Sequence, residues 1–188
     1  MTSSMQELLS LVPPPEEPKD AKGDWNKVEG DLGLGLPEDY KQFITHYGRG
    51  TLCNLFWFAS PFNCVDPTIC VGPKAGRPVS AREYWTFWAG IYNDWGKTER
   101  NIPFPVYPTT PGLFPWGIYG DTDVLSWYTL GEPQQWEILY LDRQSRFLEL
   151  KGLGFLGFLL AALKGTVPLP DDAFGKDMLD QPRVYTPH

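Results

Sequence analysis

Apolar residues along the chain follow two rhythms, one of three to four residues and one of two, and their order sets the fold class. Residues 2–11 place Met5, Leu8, Leu9 and Val12 on one side of a short helix, which the prolines at 13–15 stop. Asp24 is a good N-cap for a second helix carrying Trp25, Val28 and Leu32, broken by Gly30, Gly33 and Gly35. Pro37 then sits at the first turn of a third helix, with Glu38 and Asp39 favoured at its positive end. Its apolar face is Tyr40, Phe43, Ile44 and Tyr47, and Gly48 and Gly50 end it. The apolar run within 51–60 predicts one buried strand. Ser80 and Glu83 form a capping box for a helix over 80–95, striped with Tyr84, Trp85, Trp88, Ile91 and Tyr92. Four strands follow, over 116–119, 124–129, 136–141 and 146–150, with connections short enough for an antiparallel meander. A last helix over 155–163 shows Phe155, Phe158, Leu159, Ala162 and Leu163 on one face, capped by Gly165.

This order predicts an α+β fold, a single domain whose mostly antiparallel sheet packs against several helices. A chain of 188 residues fits one domain with tails, and 42% hydrophobic with 15% aromatic residues is ample for one core. Residues 24–165 are expected to form the body. Residues 1–23 read as a loosely attached arm and Pro-rich linker, and residues 166–188 as an extended, acidic, Pro-containing flank.

Net charge is −7, yet the central segment 25–164 holds fourteen acids and twelve bases, so the acidity belongs mainly to the flanks. No basic face is available for nucleic acid. The start lacks a cationic segment and a small-residue cleavage site, and the longest apolar run, over 153–163, is short of the roughly 20 residues a bilayer span needs. A soluble, cytoplasmic protein is therefore expected. Cys53, Cys64 and Cys70 are odd in number, form no CxxC and read as reduced thiols.

Candidate chemistry is sparse. The two histidines, His46 and His188, have no nucleophile motif beside them, and the glycines of 30–35 lack the Lys-Ser/Thr ending of a phosphate loop. Asp121 and Asp123 lie in the aromatic stretch 112–127. An Asp-x-Asp pair on a strand shares one face and could bridge a divalent ion; read structurally, Asp121 instead shapes a Gly-Asp turn. Of the eight tryptophans, Trp25, Trp116, Trp127 and Trp136 fit core periodicity, whereas Trp57, Trp85, Trp88 and Trp95 are harder to place.

Two segments carry a resemblance. The first is Trp25-x-x-Val28-Glu29, then Leu32-Gly33, Leu36-Pro37-x-x-Tyr40-Lys41-x-Phe43 and Tyr47-Gly48-x-Gly50. The second is Gly112-Leu113-Phe114-Pro115-Trp116-Gly117 with Gly120-Asp121, then Trp127 and Trp136. Together they resemble the SUKH superfamily, and within it the Smi/Knr-like domain, over about residues 25–165. The resemblance implies an antiparallel sheet with helices on it, no catalytic activity and no cofactor or metal. It also implies a protein partner: many bacterial members are immunity proteins that bind and neutralise a toxin, and fungal relatives are regulatory scaffolds. Trp25, Leu36, Pro37, Tyr40, Trp116, Gly120, Asp121 and Trp127 are then motif residues that keep the fold. Trp88, Tyr92, Asp94 and Trp95, on the helix over 80–95, are the candidates for partner binding. The expected function is toxin neutralisation by occlusion. A regulatory scaffold is the alternative, and a metal-dependent enzyme using Asp121 and Asp123 the third reading.

Overall fold

Local side-chain caps at Thr2, Asp24 and Ser80 start three of the helices. The computed structural model of the chain describes residues 2–65, 76–99, 103–120, 122–142, 147–167 and 179–188, with the backbone alone over 92–99. Helix α1 spans Ser3–Leu11, α2 Trp25–Leu32 and α3 Glu38–Tyr47. Asp24 Oδ1 accepts the N–H groups of Asn26 and Lys27 at 2.9 and 3.3 Å, and Gly33 closes α2 in the left-handed region. Helix α4 spans Ala81–Glu99 and opens on the expected capping box. Ser80 N–H donates to Glu83 Oε2 at 2.9 Å, and Glu83 N–H returns to Ser80 Oγ at 3.2 Å. Helix α5, Phe155–Lys164, has no side-chain N-cap of its own. Asp39 of α3 supplies one across the core, its Oδ2 accepting Leu156 N–H at 3.0 Å.

Among the described residues, seven antiparallel strands form one sheet in the order β6-β5-β4-β3-β2-β1-β7. Their ranges are β1 Gly50–Leu52, β2 Phe56–Phe58, β3 Leu113–Tyr119, β4 Asp123–Tyr128, β5 Glu137–Leu141, β6 Phe147–Leu150 and β7 Tyr185–Pro187. The fold is α+β, as the sequence predicts. Helices α1, α3 and α5 lie on one face. There Phe155 meets Tyr40, Phe43, Phe58, Trp116 and Trp127 with ring centroids 4.9–6.1 Å apart, mostly edge to face. Helix α4 lies on the other face, where Trp88 and Ile91 pack on Val124 of β4 and Leu141 of β5.

Three expectations need correction. The apolar run 51–60 is two strands, β1 and β2, because Cys53 (φ 52°) and Asn54 (φ 57°) both adopt the left-handed conformation and reverse the chain. Unbroken hydrophobicity concealed that turn. The N-terminal arm is not loosely attached. Met5, Leu8 and Val12 are fully buried, Tyr47 Oη–H donates to the Val12 carbonyl at 2.5 Å, and Glu7 pairs with Lys164 of α5 at 2.7 Å. The apolar face of α1 is sufficient to dock it despite the prolines that follow. Finally, the end of the C-terminal flank enters the sheet. Strand β7 pairs with β1, and Tyr185 enters a gap beside Phe43 and Tyr47, with its Oη–H donating to the Gly48 carbonyl at 2.8 Å. A free edge on β1 would otherwise expose unpaired backbone groups.

Candidate functional site

The register of the sheet carries one row of residues across its α4 face. Thr186 of β7 lies opposite Thr51 of β1, Thr51 opposite Trp57 of β2, and Trp57 opposite Ile118 of β3. The row continues from Ile118 to Val124 and from Val124 to Leu141. Strand geometry places this whole row on one side. Helix α4 covers the Val124–Leu141 end. It is held there by the indole N–H of Trp85, which donates to the Pro115 carbonyl at 2.8 Å, and by a stack of Trp85 on Phe114. Pro115 can sit mid-strand because a bulge at Trp116 shifts the register between 115 and 117.

Over the Thr51–Trp57 end the helix leaves a cleft of about 430 Å³. It is lined by Trp57, Phe58 and Ala59 of the β2 region, by Tyr84, Trp85 and Trp88 of α4, and by Pro115, Trp116, Gly117 and Ile118 of β3, together with Arg49 and His188. Trp57 is 46% exposed, an unusual state for an indole flanked by two buried phenylalanines. The His188 ring is stacked on it at 4.8 Å and 13°. His188 Nε2 lies 2.6 Å from Thr51 Oγ1, and its carbonyl accepts Arg49 Nε–H at 3.0 Å. Arg49 also pairs with Asp20, Nη2 to Oδ2 3.3 Å. Burial pushes the Tyr84 hydroxyl pKa up, opposed by a hydrogen bond from Trp88 and by the Arg49 charge.

The residues singled out by sequence fall into three groups. Trp88 lines the cleft and is half-buried. The backbone of α4 carries Tyr92, Asp94 and Trp95, but their side chains lie outside the described residues, as does Asp121. The remaining motif residues belong to the core or its joints. Leu36, Tyr40, Trp116 and Trp127 are buried. Tyr40 Oη–H donates to the Ala59 carbonyl at 3.3 Å, and Trp127 meets the Tyr40 ring edge-on at 5.1 Å. Trp25 packs on Phe62 at 4.5 Å, Pro37 precedes α3, and Gly120 ends β3 with φ 60°. Asp123 accepts hydrogen bonds from Tyr140 Oη and from Thr122 Oγ1, the latter at 3.2 Å. Among the described residues, no three His, Cys, Asp or Glu side chains group as metal ligands would.

Cys53 and Cys64 are buried in the packing, and Cys70 lies outside the described residues. Burial, with Asp20 and Asp31 adding to it, pushes Cys64 up to about 12, and burial also raises Cys53. His46 Nδ1 lies 2.8 Å from the Gln42 carbonyl of its own helix. Arg49, Tyr84 and His188 are not among the sequence candidates, and Trp57 is there only as an indole that core periodicity does not place. Trp57 carried a faint signal, since the middle residue of Phe56-Trp57-Phe58 must face away from its neighbours. Arg49 and His188 carried none, being 139 positions apart.

No family model, no curated protein and no solved structure matches the chain. No helix among the described residues is long and apolar enough to cross a membrane.

Proposed function

We propose that this chain is a non-catalytic, cytoplasmic binding protein of the immunity type, which neutralises a toxin by occupying its working surface. The resemblance of its sequence motifs to the SUKH superfamily motivates the class. One observation carries the location: a half-exposed indole, Trp57, at the margin of a cleft walled by aromatic side chains. Tight protein interfaces concentrate their energy in a few desolvated Trp, Tyr and Arg anchors ringed by more polar groups. Trp57, Tyr84, Trp88 and Arg49 are such a set, and a projecting side chain of the partner would enter between them. Occlusion requires no turnover and no cofactor. A regulatory scaffold would use the same cleft without inhibiting its partner.

The test is inhibition of the toxin encoded beside this chain. The wild-type protein should abolish the toxin's activity at equimolar concentration. The Trp57→Ala variant should lose most of that effect while its unfolding midpoint stays near wild type. Binding without inhibition would favour the scaffold, and toxin activity untouched by the wild-type protein would overturn the immunity reading.

A further inference from the structure

Among the described residues, permanent charge enters the cleft lining at one side chain. Arg49 is the one permanently charged side chain among its described lining residues, whereas Asp20, its ionic neighbour, does not line the cleft. The Asp20 contact is also incomplete, since Oδ2 accepts no hydrogen bond within the described residues. Arg49 spends its Nε–H on the His188 carbonyl and leaves other N–H groups for a guest. Everything else that faces the space is aromatic, aliphatic or hydroxyl-bearing.

Size and shape narrow the guest. A volume of about 430 Å³ suits one ring system with its substituents. A helix about 10 Å across would not enter it. Indole and phenol walls favour a flat ring, through offset and edge-to-face contacts that an aliphatic chain cannot reproduce. A cation would gain from the aromatic faces but would meet Arg49 as a like charge. A carboxylate beside the ring would meet Arg49 in its preferred planar geometry.

We propose that the cleft receives an aromatic side chain of the partner protein with a carboxylate next to it, the ring against Trp57 and Trp88 and the carboxylate on Arg49. This rests on the reading of the cleft as the partner-binding surface, and it adds the chemistry of the anchor. Selectivity for the anion then comes from Arg49, and ring affinity from the indoles.

Three small probes that share one ring and differ in charge test it on the full chain: N-acetyl-tryptophan, its uncharged amide and tryptamine. Binding is followed through the indole N–H signals of Trp57 and Trp88 in isotopically labelled protein. The anion should bind about threefold or more tighter than the amide, with the cation weakest, as for a partly exposed ion pair. That preference should vanish in Arg49→Gln and shrink in about 1 M salt. It should grow in Asp20→Asn, which removes the competing carboxylate at a position (φ 50°) that Asn tolerates. Since Arg49→Gln also loosens β7, the Asp20→Asn gain keeps the test independent of that strand. Equal binding of all three probes, or tighter binding of tryptamine, overturns the anionic anchor but leaves the cleft as a ring site. Probes that leave both indoles unmoved overturn the anchor outright. Neither result alters the toxin assay, whose failure would remove the immunity reading separately.

Discussion

The two faces of the sheet use the same residue types for opposite ends. On the α5 side, Trp116, Trp127, Phe58 and Phe155 are almost fully buried, and Phe155 meets Phe58 and Trp116 edge to face while Phe58 stacks on Trp116, so each ring fixes the next. On the α4 side, one helix covers a sheet wide enough for more, and Trp57, Tyr84 and Trp88 keep part of their surface open. Aromatic content alone therefore says little about whether a residue holds the fold or meets a partner. What separates the two roles is how many elements stand over the ring.

The largest effect expected from that contrast is on the closed face. Trp127→Ala should cost about 3–5 kcal/mol, read as a fall in the denaturant midpoint at unchanged slope, because the surrounding rings cannot collapse into the space. Gly48→Ala comes next. Its Cβ would sit 2.0 Å from the Lys19 carbonyl oxygen at φ 69°, so a loss of more than about 1 kcal/mol is expected. A cost within a few tenths would mean that the chain at 19 and 48 separates easily.

A smaller, pH-dependent effect falls on Asp39, the cap that α3 lends to α5. Burial raises its pKa above the ordinary 3.8, against the lowering effect of the backbone N–H groups it accepts. The folded state therefore holds that proton more tightly than the unfolded chain, and the associated stability is fully present below the ordinary value. It is lost as pH rises through the raised one. Asp39→Asn, which does not titrate, should gain on the wild type between pH 3 and pH 7, by about 1 kcal/mol or less. Thermal unfolding at the two pH values checks this, and an opposite sign would mean that the hydrogen bonds outweigh burial. The smallest effect belongs to the open face. Trp57→Ala should change stability by no more than about 1 kcal/mol. A loss as large as that of Trp127→Ala would erase the distinction between the faces.

The local elements were legible in the sequence because their causes are local. The Asp24 cap, the Ser80–Glu83 box and the Gly33 and Gly165 stops act within a few residues of themselves. The meander from β3 to β6 was legible too, since short connections leave antiparallel neighbours little choice. The β1–β2 turn was hidden because Cys53 and Asn54 are not glycines, and only the fold holds them at positive φ.

Of the partner-binding candidates whose side chains are described, Trp88 lines the cleft. The rest of the cleft joins Arg49 and Trp57 near the first strands, Tyr84 on α4, and His188 from the far end of the chain. No pattern of period two or 3.6 reports on such distant partners. The sequence by itself determined the α+β class, the helix starts and the abundance of rings for a core. Tertiary structure alone decided that residues 3–11 dock, that the end of the C-terminal flank closes the edge beside β1, and which indoles stay open. The reason is physical: caps and periodicity act over one or two turns, whereas burial depends on whatever element the completed sheet brings overhead.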